Sequence, residues 1–104
     1  MKCQSNSYNA IEINGRGVSV QNIRIEEGNC GIKLFGRTNE CTGNVVSNVQ
    51  IIGSNIGLLL DGYTDTDNPC YWNAFDNVLV EQPIMHGVHL TKTGAGDTPN
   101  ANHF

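Results

Sequence analysis

Short segments in which apolar and polar residues alternate recur along the chain. The first is AIEIN (10–14), and the segments at 31–35, 57–61 and 87–91 align with it. Alternation with a period of two is typical of a β-strand that buries one face. The second and fourth residues of each segment are aliphatic: Ile11 and Ile13, Ile32 and Leu34, Leu58 and Leu60, and Val88 and Leu90. We expect these pairs to stack upon one another in a shared core.

Two further sets of strands follow from the same pattern. The second set carries the aliphatic pairs Ile23 and Ile25, Val49 and Ile51, and Val78 and Val80; the third, shorter set ends at Val20, Val46 and Phe75, with Phe104 at the next equivalent position. An asparagine stands between the two sets each time, namely Asn22, Asn48 and Asn77. Asparagine tolerates left-handed backbone, and stacked amides can hydrogen-bond to each other. An internal ladder of asparagines is therefore predicted, with three solvent-facing turn residues as the alternative.

Longer stretches of the sequence repeat as well. CTGNVVSNVQI (41–51) matches CYWNAFDNVLV (70–80) at a spacing of 29 residues, and 22–36 matches 48–62 at a spacing of 26. Glycines 31, 57 and 87 open strands of the first set, where we expect a sharp bend. Three short strands per 26 to 30 residues, joined by turns too short for a helix, predict an all-β fold in which the chain coils and stacks in parallel on itself. That fold is a parallel β-helix of about three to four rungs, where a rung is one turn of the coil.

The ends of the chain differ from its middle. Residues 1–9 are polar and unpatterned, so the rungs are assigned to 10–104, as one domain or a fragment of one. Neither end has the pattern of a cap that would cover open strand edges. We expect the chain to be part of a longer coil, or its ends to be covered by neighbouring chains.

Composition and charge limit the kinds of ligand and partner that the chain is expected to bind. A net charge of −4 with only six lysines and arginines gives no basic stripe, which argues against nucleic acid. No apolar run is long enough for a signal peptide or a membrane span. The four cysteines lack the spacing of a zinc site, and no cofactor motif is present, so neither metal nor cofactor is predicted. Cys41 and Cys70 occupy equivalent positions and should stack about 4.8 Å apart, within reach of a disulfide, although a reduced pair is favoured.

The order N-V-x-I, a short loop, G-I-x-L and an Asn-led strand resembles a known architecture. It is similar to the right-handed parallel β-helix of pectate lyases and, more closely in its loose loops and its Asn and Gly content, of bacteriophage tailspike proteins. The resemblance covers 10–104. It implies a homotrimer on the tail of a virion, made in the host cytoplasm, that binds and often cuts a bacterial surface polysaccharide. The alternative is a purely structural segment that spaces or trimerises other parts and has no ligand.

Candidate binding groups lie on the outward face of the first strand set and in the long loop 62–73. Flat aromatic rings beside carboxylates suit a sugar, whose C–H face stacks on a ring while polar groups hold its hydroxyls. The substrate-binding candidates are Tyr63, Trp72, Lys33 and Tyr71. Alternatively, Tyr71 and Trp72 cover the coil or fill a subunit contact.

Candidate catalytic groups are Asp61, Asp65 and His89. Glycoside hydrolysis needs two carboxyl groups, and Asp61 at the outer edge of a strand is best placed, with Asp65, Asp67 or Glu12 as its partner. A lyase needs a base and an electrophile, for which Lys33, His89 and the tyrosines are candidates. Hydrolase, lyase and non-catalytic roles all stay open at this point.

Overall fold

The computed structural model describes residues 1–62, 68–94 and 98–104. The described residues form strands and no helix, which confirms the all-β class. The strands are β1 (Ile11–Ile13), β2 (Ser19–Glu26), β3 (Cys30–Phe35), β4 (Cys41–Thr42), β5 (Val45–Ile52), β6 (Ile56–Asp61), β7 (Cys70–Tyr71), β8 (Ala74–Glu81) and β9 (His86–Thr91). Accordingly, none of the residues that the structure describes belongs to a helix long and apolar enough to cross a membrane.

The strands build three parallel sheets. The first sheet has the order β1-β3-β6-β9, the second β2-β5-β8, and the third β4-β7. Single bridges from Arg16 to Thr42 and from Tyr71 to Asn100 extend the third sheet on both sides. From each strand of the first sheet the chain proceeds to the third, then to the second, and back to the first. Each such pass lies beside the one before it, in parallel.

The register of the first two sheets confirms the predicted stacking of aliphatic pairs. In the first sheet, Ile11 is aligned with Ile32, Ile32 with Leu58, and Leu58 with Val88. The second sheet aligns Ile23, Val49 and Val78 in the same way. The middle passes of the chain through the three sheets, called rungs from here on, are the most deeply buried because they have neighbours on both sides. Leu34, Ile51 and Leu60 are fully buried, whereas Val88 and Leu90 on the outermost strand are 43% and 48% exposed.

The predicted third set of strands is wrong. Val20, Val46 and Phe75 do not end separate strands, because β2, β5 and β8 continue through Asn22, Asn48 and Asn77. These asparagines have φ angles of 57°, 54° and 51°, in the left-handed region. A left-handed residue bends the strand and shifts its alternation by one position. Val46 and Val49, three residues apart, are consequently both buried.

Glycines in the first sheet make room for the second sheet. Gly31 and Gly57 lie within β3 and β6 and have no left-handed backbone, so the sharp bend predicted for them is wrong. A Cβ atom on Gly57 would lie 2.5 Å from Cγ1 of Val80 and 2.6 Å from the carbonyl oxygen of Gly87. A Cβ on Gly31 would lie 2.5 Å from Cγ2 of Ile51. The missing side chains therefore allow the two sheets to pack closely.

Replacing Gly57 by alanine should destabilise the protein. The added methyl group collides with Val80 and with a backbone carbonyl that cannot move without disturbing β9. We expect a loss of about 1–3 kcal/mol in the free energy of unfolding, the range typical of overpacked cores. Urea denaturation of Gly57→Ala measures it.

Gly87→Ala is the matched control. Gly87 is the equivalent residue on β9, but a Cβ there meets no atom within 4 Å. Its free energy of unfolding should stay within about 0.5 kcal/mol of the parent value. Equal losses in both variants would contradict the packing explanation.

Candidate functional site

Buried asparagines connect the rungs where the third sheet turns into the second. Asn44 and Asn73 are each 1% exposed and, together with Asn102, form what we call the inner asparagine ladder. The Nδ2 group of Asn44 donates to Oδ1 of Asn73 at 2.9 Å, and that of Asn73 donates to Oδ1 of Asn102 at 3.0 Å. The same oxygens also accept hydrogen bonds from the backbone. The N–H of Asn44 donates to Oδ1 of Asn73 at 3.1 Å, and the N–H of Asn73 donates to Oδ1 of Asn102 at 2.9 Å. One side chain thus satisfies both a side chain and a backbone group of the previous rung.

The Nδ2 groups make a second set of bonds, to backbone carbonyls. Asn44 donates to the carbonyl of Gly15 at 2.9 Å, and Asn73 donates to that of Cys41 at 3.1 Å. Buried amides carry a large desolvation cost unless they are paired, and these are paired at both ends. The recurrence of Asn44 as Asn73 and Asn102 in the sequence repeat was the signal that would have revealed this ladder.

The asparagines singled out by the sequence lie on the outside. Asn22, Asn48 and Asn77, here called the outer asparagine ladder, are exposed, so the prediction that they are internal is wrong. Rung-to-rung hydrogen bonds are nevertheless present between their side chains. Nδ2 of Asn48 donates to Oδ1 of Asn22 at 2.7 Å, and Nδ2 of Asn77 donates to Oδ1 of Asn48 at 2.9 Å. The left-handed backbone explains why these asparagines lie outside. Because it shifts the alternation by one position, Val46 and Val49 on either side of the bend in β5 both point inward.

Cysteines stack in the third sheet. Cys41 and Cys70 are aligned in register, fully buried, and present as free thiols. Their sulfur atoms lie 3.4 Å from the carbonyl oxygen of Ile13 and 3.7 Å from that of Leu34. The hydrogen bond with Cys41 and burial raise the pKa of the Cys70 thiol, and burial raises the pKa of Cys30. The same hydrogen bond lowers the pKa of the Cys41 thiol. Cys70 and Cys30, buried and hard to ionise, fit a packing role, and Cys41 is fully buried beside Cys70.

Asp61 is not available to a substrate. Its side chain is 1% exposed and accepts hydrogen bonds from the backbone N–H of Thr93 at 3.0 Å and from the Thr93 hydroxyl at 2.7 Å. Asp61 thereby fixes the segment that follows β9. Of its proposed partners, Glu12 lies on β1, two strands away in the first sheet, while Asp65 and Asp67 lie outside the described residues. The predicted role of Asp61 as an accessible catalytic acid does not agree with this burial.

The candidate lyase residues share a column but do not meet. Glu12, Lys33, Leu59 and His89 are aligned across the first sheet, as the sequence pattern predicts. Lys33 on β3 places its Nζ 4.8 Å from the ring centroid of Phe35. His89 on β9 lies with its ring centroid 4.8 Å from that of His86, and its Nδ1 is buried without a hydrogen-bond partner in the structure. Leu59 on β6 separates Lys33 from His89.

Trp72 occupies a position where its backbone is strained. The equivalent residues of the four rungs, Gly17, Gly43, Trp72 and Ala101, all have left-handed φ angles, of 68°, 65°, 55° and 53°. Glycine adopts this conformation without cost, whereas a residue with a Cβ loses roughly 1 kcal/mol or more. Trp72 is nevertheless 66% exposed, and its ring meets that of Tyr71 edge-on at 5.9 Å. Core packing does not explain a large aromatic residue here.

The remaining site candidates give no further constellation. Tyr63, like Asp65, lies outside the described residues. Among residues 1–62, 68–94 and 98–104, no group of three or more His, Cys, Asp or Glu side chains is arranged to hold a metal ion. Comparisons with protein-family models, with curated proteins and with solved structures found no match for this chain. Its function therefore has to be argued from its own residues.

Replacing Asn73 by alanine should cost far more stability than changing the outer ladder. The variant removes the acceptor that pairs with the backbone N–H of Asn44 and with one N–H of its side chain, and the donor that pairs with the carbonyl of Cys41. Buried groups left unpaired cost about 1–3 kcal/mol each, so a loss of about 3 kcal/mol or more is expected in urea denaturation.

Asn48→Gly is the control for that prediction. It removes an exposed amide from the outer ladder while keeping a residue that tolerates left-handed backbone. Its loss should stay below about 1 kcal/mol, because water can replace the two exposed hydrogen bonds that the variant loses. If Asn48→Gly proves as destabilising as Asn73→Ala, the distinction between the two ladders is wrong.

Proposed function

We propose that this chain is a segment of a right-handed parallel β-helix of the tailspike or pectate-lyase-like kind, and that it binds a bacterial surface polysaccharide. Support for the architecture comes from three parallel sheets that the chain visits in a fixed order, with the strands of successive passes in register. The resemblance of the repeats to tailspikes extends the proposal to a homotrimer on a virion tail.

The binding proposal depends mainly on the backbone conformation and the exposure of Trp72. The equivalent left-handed residue is glycine in the two earlier rungs, Gly17 and Gly43. In this rung it is a tryptophan, and most of that residue is exposed to solvent. Residues held in costly backbone conformations are typical of functional sites. An exposed indole supported edge-on by Tyr71 offers a flat apolar face to the C–H face of a sugar ring.

Recognition fits the described residues better than cleavage does. Asp61 is buried and hydrogen-bonded by Thr93, and Lys33 and His89 are separated by a strand, so these candidates do not form an acid and base pair. The proposed role of the described residues is therefore to hold a polysaccharide. Depolymerisation by the complete protein would use other groups.

A structural role without ligand is the second candidate. It is favoured by exposed apolar side chains at the outermost rung and the turn before it, which are suited to contacts with protein. These are Leu79, Ile84, Met85, Val88, Leu90 and Phe104.

Replacing Trp72 should weaken glycan binding without destabilising the fold. We expect Trp72→Ala and Trp72→Gly to lose about tenfold or more in affinity, as truncation of an aromatic anchor does. Trp72→Gly should be more stable than Trp72→Ala by about 1 kcal/mol, because glycine relieves the left-handed strain. Isothermal titration with capsular and lipopolysaccharide fragments, paired with urea denaturation, measures both quantities.

Tyr8→Ala serves as the control, since Tyr8 is another exposed aromatic residue, at 73%, and lies far from Trp72 in the chain. Its affinity should be unchanged. A chain that sediments as a trimer and binds none of the glycans, with or without Trp72, would overturn the binding proposal and leave the structural one.

A further inference from the structure

The outer asparagine ladder forms one wall of a trough that crosses the second sheet. The trough has a volume of ≈ 460 Å³ and runs along the stacking direction, across β2, β5 and β8. Its other wall is a second row of outward side chains two residues further along each strand: Arg24, Gln50 and Leu79. The two rows stand roughly 7 Å apart, because residues i and i+2 of a strand are separated by two rises.

The asparagine wall retains hydrogen-bonding capacity. An amide side chain has two N–H groups and two acceptor lone pairs, and Asn48 uses one of each in the ladder. The remaining donor and acceptor are exposed with the rest of the side chain. Asn48 thus keeps one donor and one acceptor for a ligand. Asn22 only accepts in the ladder and Asn77 only donates, so each of them keeps one hydrogen-bonding group more. Successive rungs repeat these groups at a spacing of about 4.8 Å.

The opposite wall is close to neutral. Arg24 is bound to the carboxylate of Glu26, with Nη2 and Nε each 3.1 Å from Oε1. Its Nη1 also donates to Oε1 of Gln50 at 3.4 Å. Leu79, which is 50% exposed, adds an apolar surface at the end of the row. A trough of amides with a compensated charge and one apolar patch suits hydroxyl groups better than it suits an anion.

We infer that this trough is a second glycan site, which binds a neutral hydroxyl-bearing chain lying along the stacking direction. Amides two rungs apart are separated by about 10 Å, which is enough to line two to three sugar rings in an extended chain. The class of ligand in this inference rests on the proposed function. The residues are different, because Trp72 does not line the trough.

The test is a titration of the ¹⁵N-labelled 104-residue chain, followed by nuclear magnetic resonance. The probes are three hexasaccharides: the neutral maltohexaose and cellohexaose, and the acidic hexagalacturonate. Side-chain amide signals of Asn48 and Gln50 report on the trough, and the indole N–H of Trp72 reports on the first site. We expect the trough signals to shift and saturate with a neutral hexasaccharide and not with the acidic one.

Variants assign the shifts to the trough. Asn48→Gly and Gln50→Leu each remove one amide, and each should weaken binding about five- to tenfold, the effect of one lost hydrogen bond. Gln21→Ala is the matched control, because Gln21 is an exposed amide on β2 that does not line the trough. Its affinity should stay within about twofold of the parent value, in keeping with the spread of a neutral surface change.

The outcomes separate the two proposals. Shifts confined to Trp72 and its neighbours would overturn the trough site and leave the proposed function standing. Shifts in the trough alone would support the trough and contradict the role of Trp72. Trough shifts with hexagalacturonate only, or no shift in the trough with any probe, would overturn this inference.

Discussion

The structure depends on hydrogen bonds that buried asparagine amides make from one rung to the next. Asn44 and Asn73 sit where each turn of the chain would otherwise bury unpaired backbone groups, and the Asn73 side chain supplies the missing acceptor to the previous rung. An unpaired buried amide is costly, so a slip of one residue between rungs is strongly disfavoured. The stacking of Cys41 on Cys70 and of Leu34 on Leu60 follows from that same register.

In-register stacking turns each position of a rung into a row along the protein. Inside, rows of like aliphatic side chains fill the core, and the glycine row of the first sheet allows Ile51 and Val80 to approach. Outside, a row of amides lines one wall of a trough. Departures from a row are therefore informative. Trp72, at the position that Gly43 has in the previous rung, is one of them, and it is the residue for which we propose polysaccharide binding.

Much of the fold was predictable from the sequence, because alternation of apolar residues and repeat spacing report directly on register. Two of the predictions that were wrong, the third set of strands and the internal asparagine ladder, share a physical cause. A left-handed residue such as Asn48 shifts the alternation of buried and exposed side chains by one position. In the sequence, one continuous strand therefore had the pattern of two strands, and the outer asparagine ladder was predicted to be internal. The buried carboxylate of Asp61 accepts its hydrogen bonds from Thr93, 32 residues later, and no local pattern reports such a contact. The roles of Tyr63 and Asp65 stay predictions.

The most direct test of the account is a set of nuclear Overhauser contacts measured at Asn44 and Asn73. The inner asparagine ladder predicts contacts between the side-chain amide protons of Asn44 and those of Asn73, together with parallel-strand contacts between Ile32 and Leu58. Their presence would establish both the register and the buried amides that fix it. Absence of the amide contacts, or an antiparallel pattern between β3 and β6, would contradict the central claim.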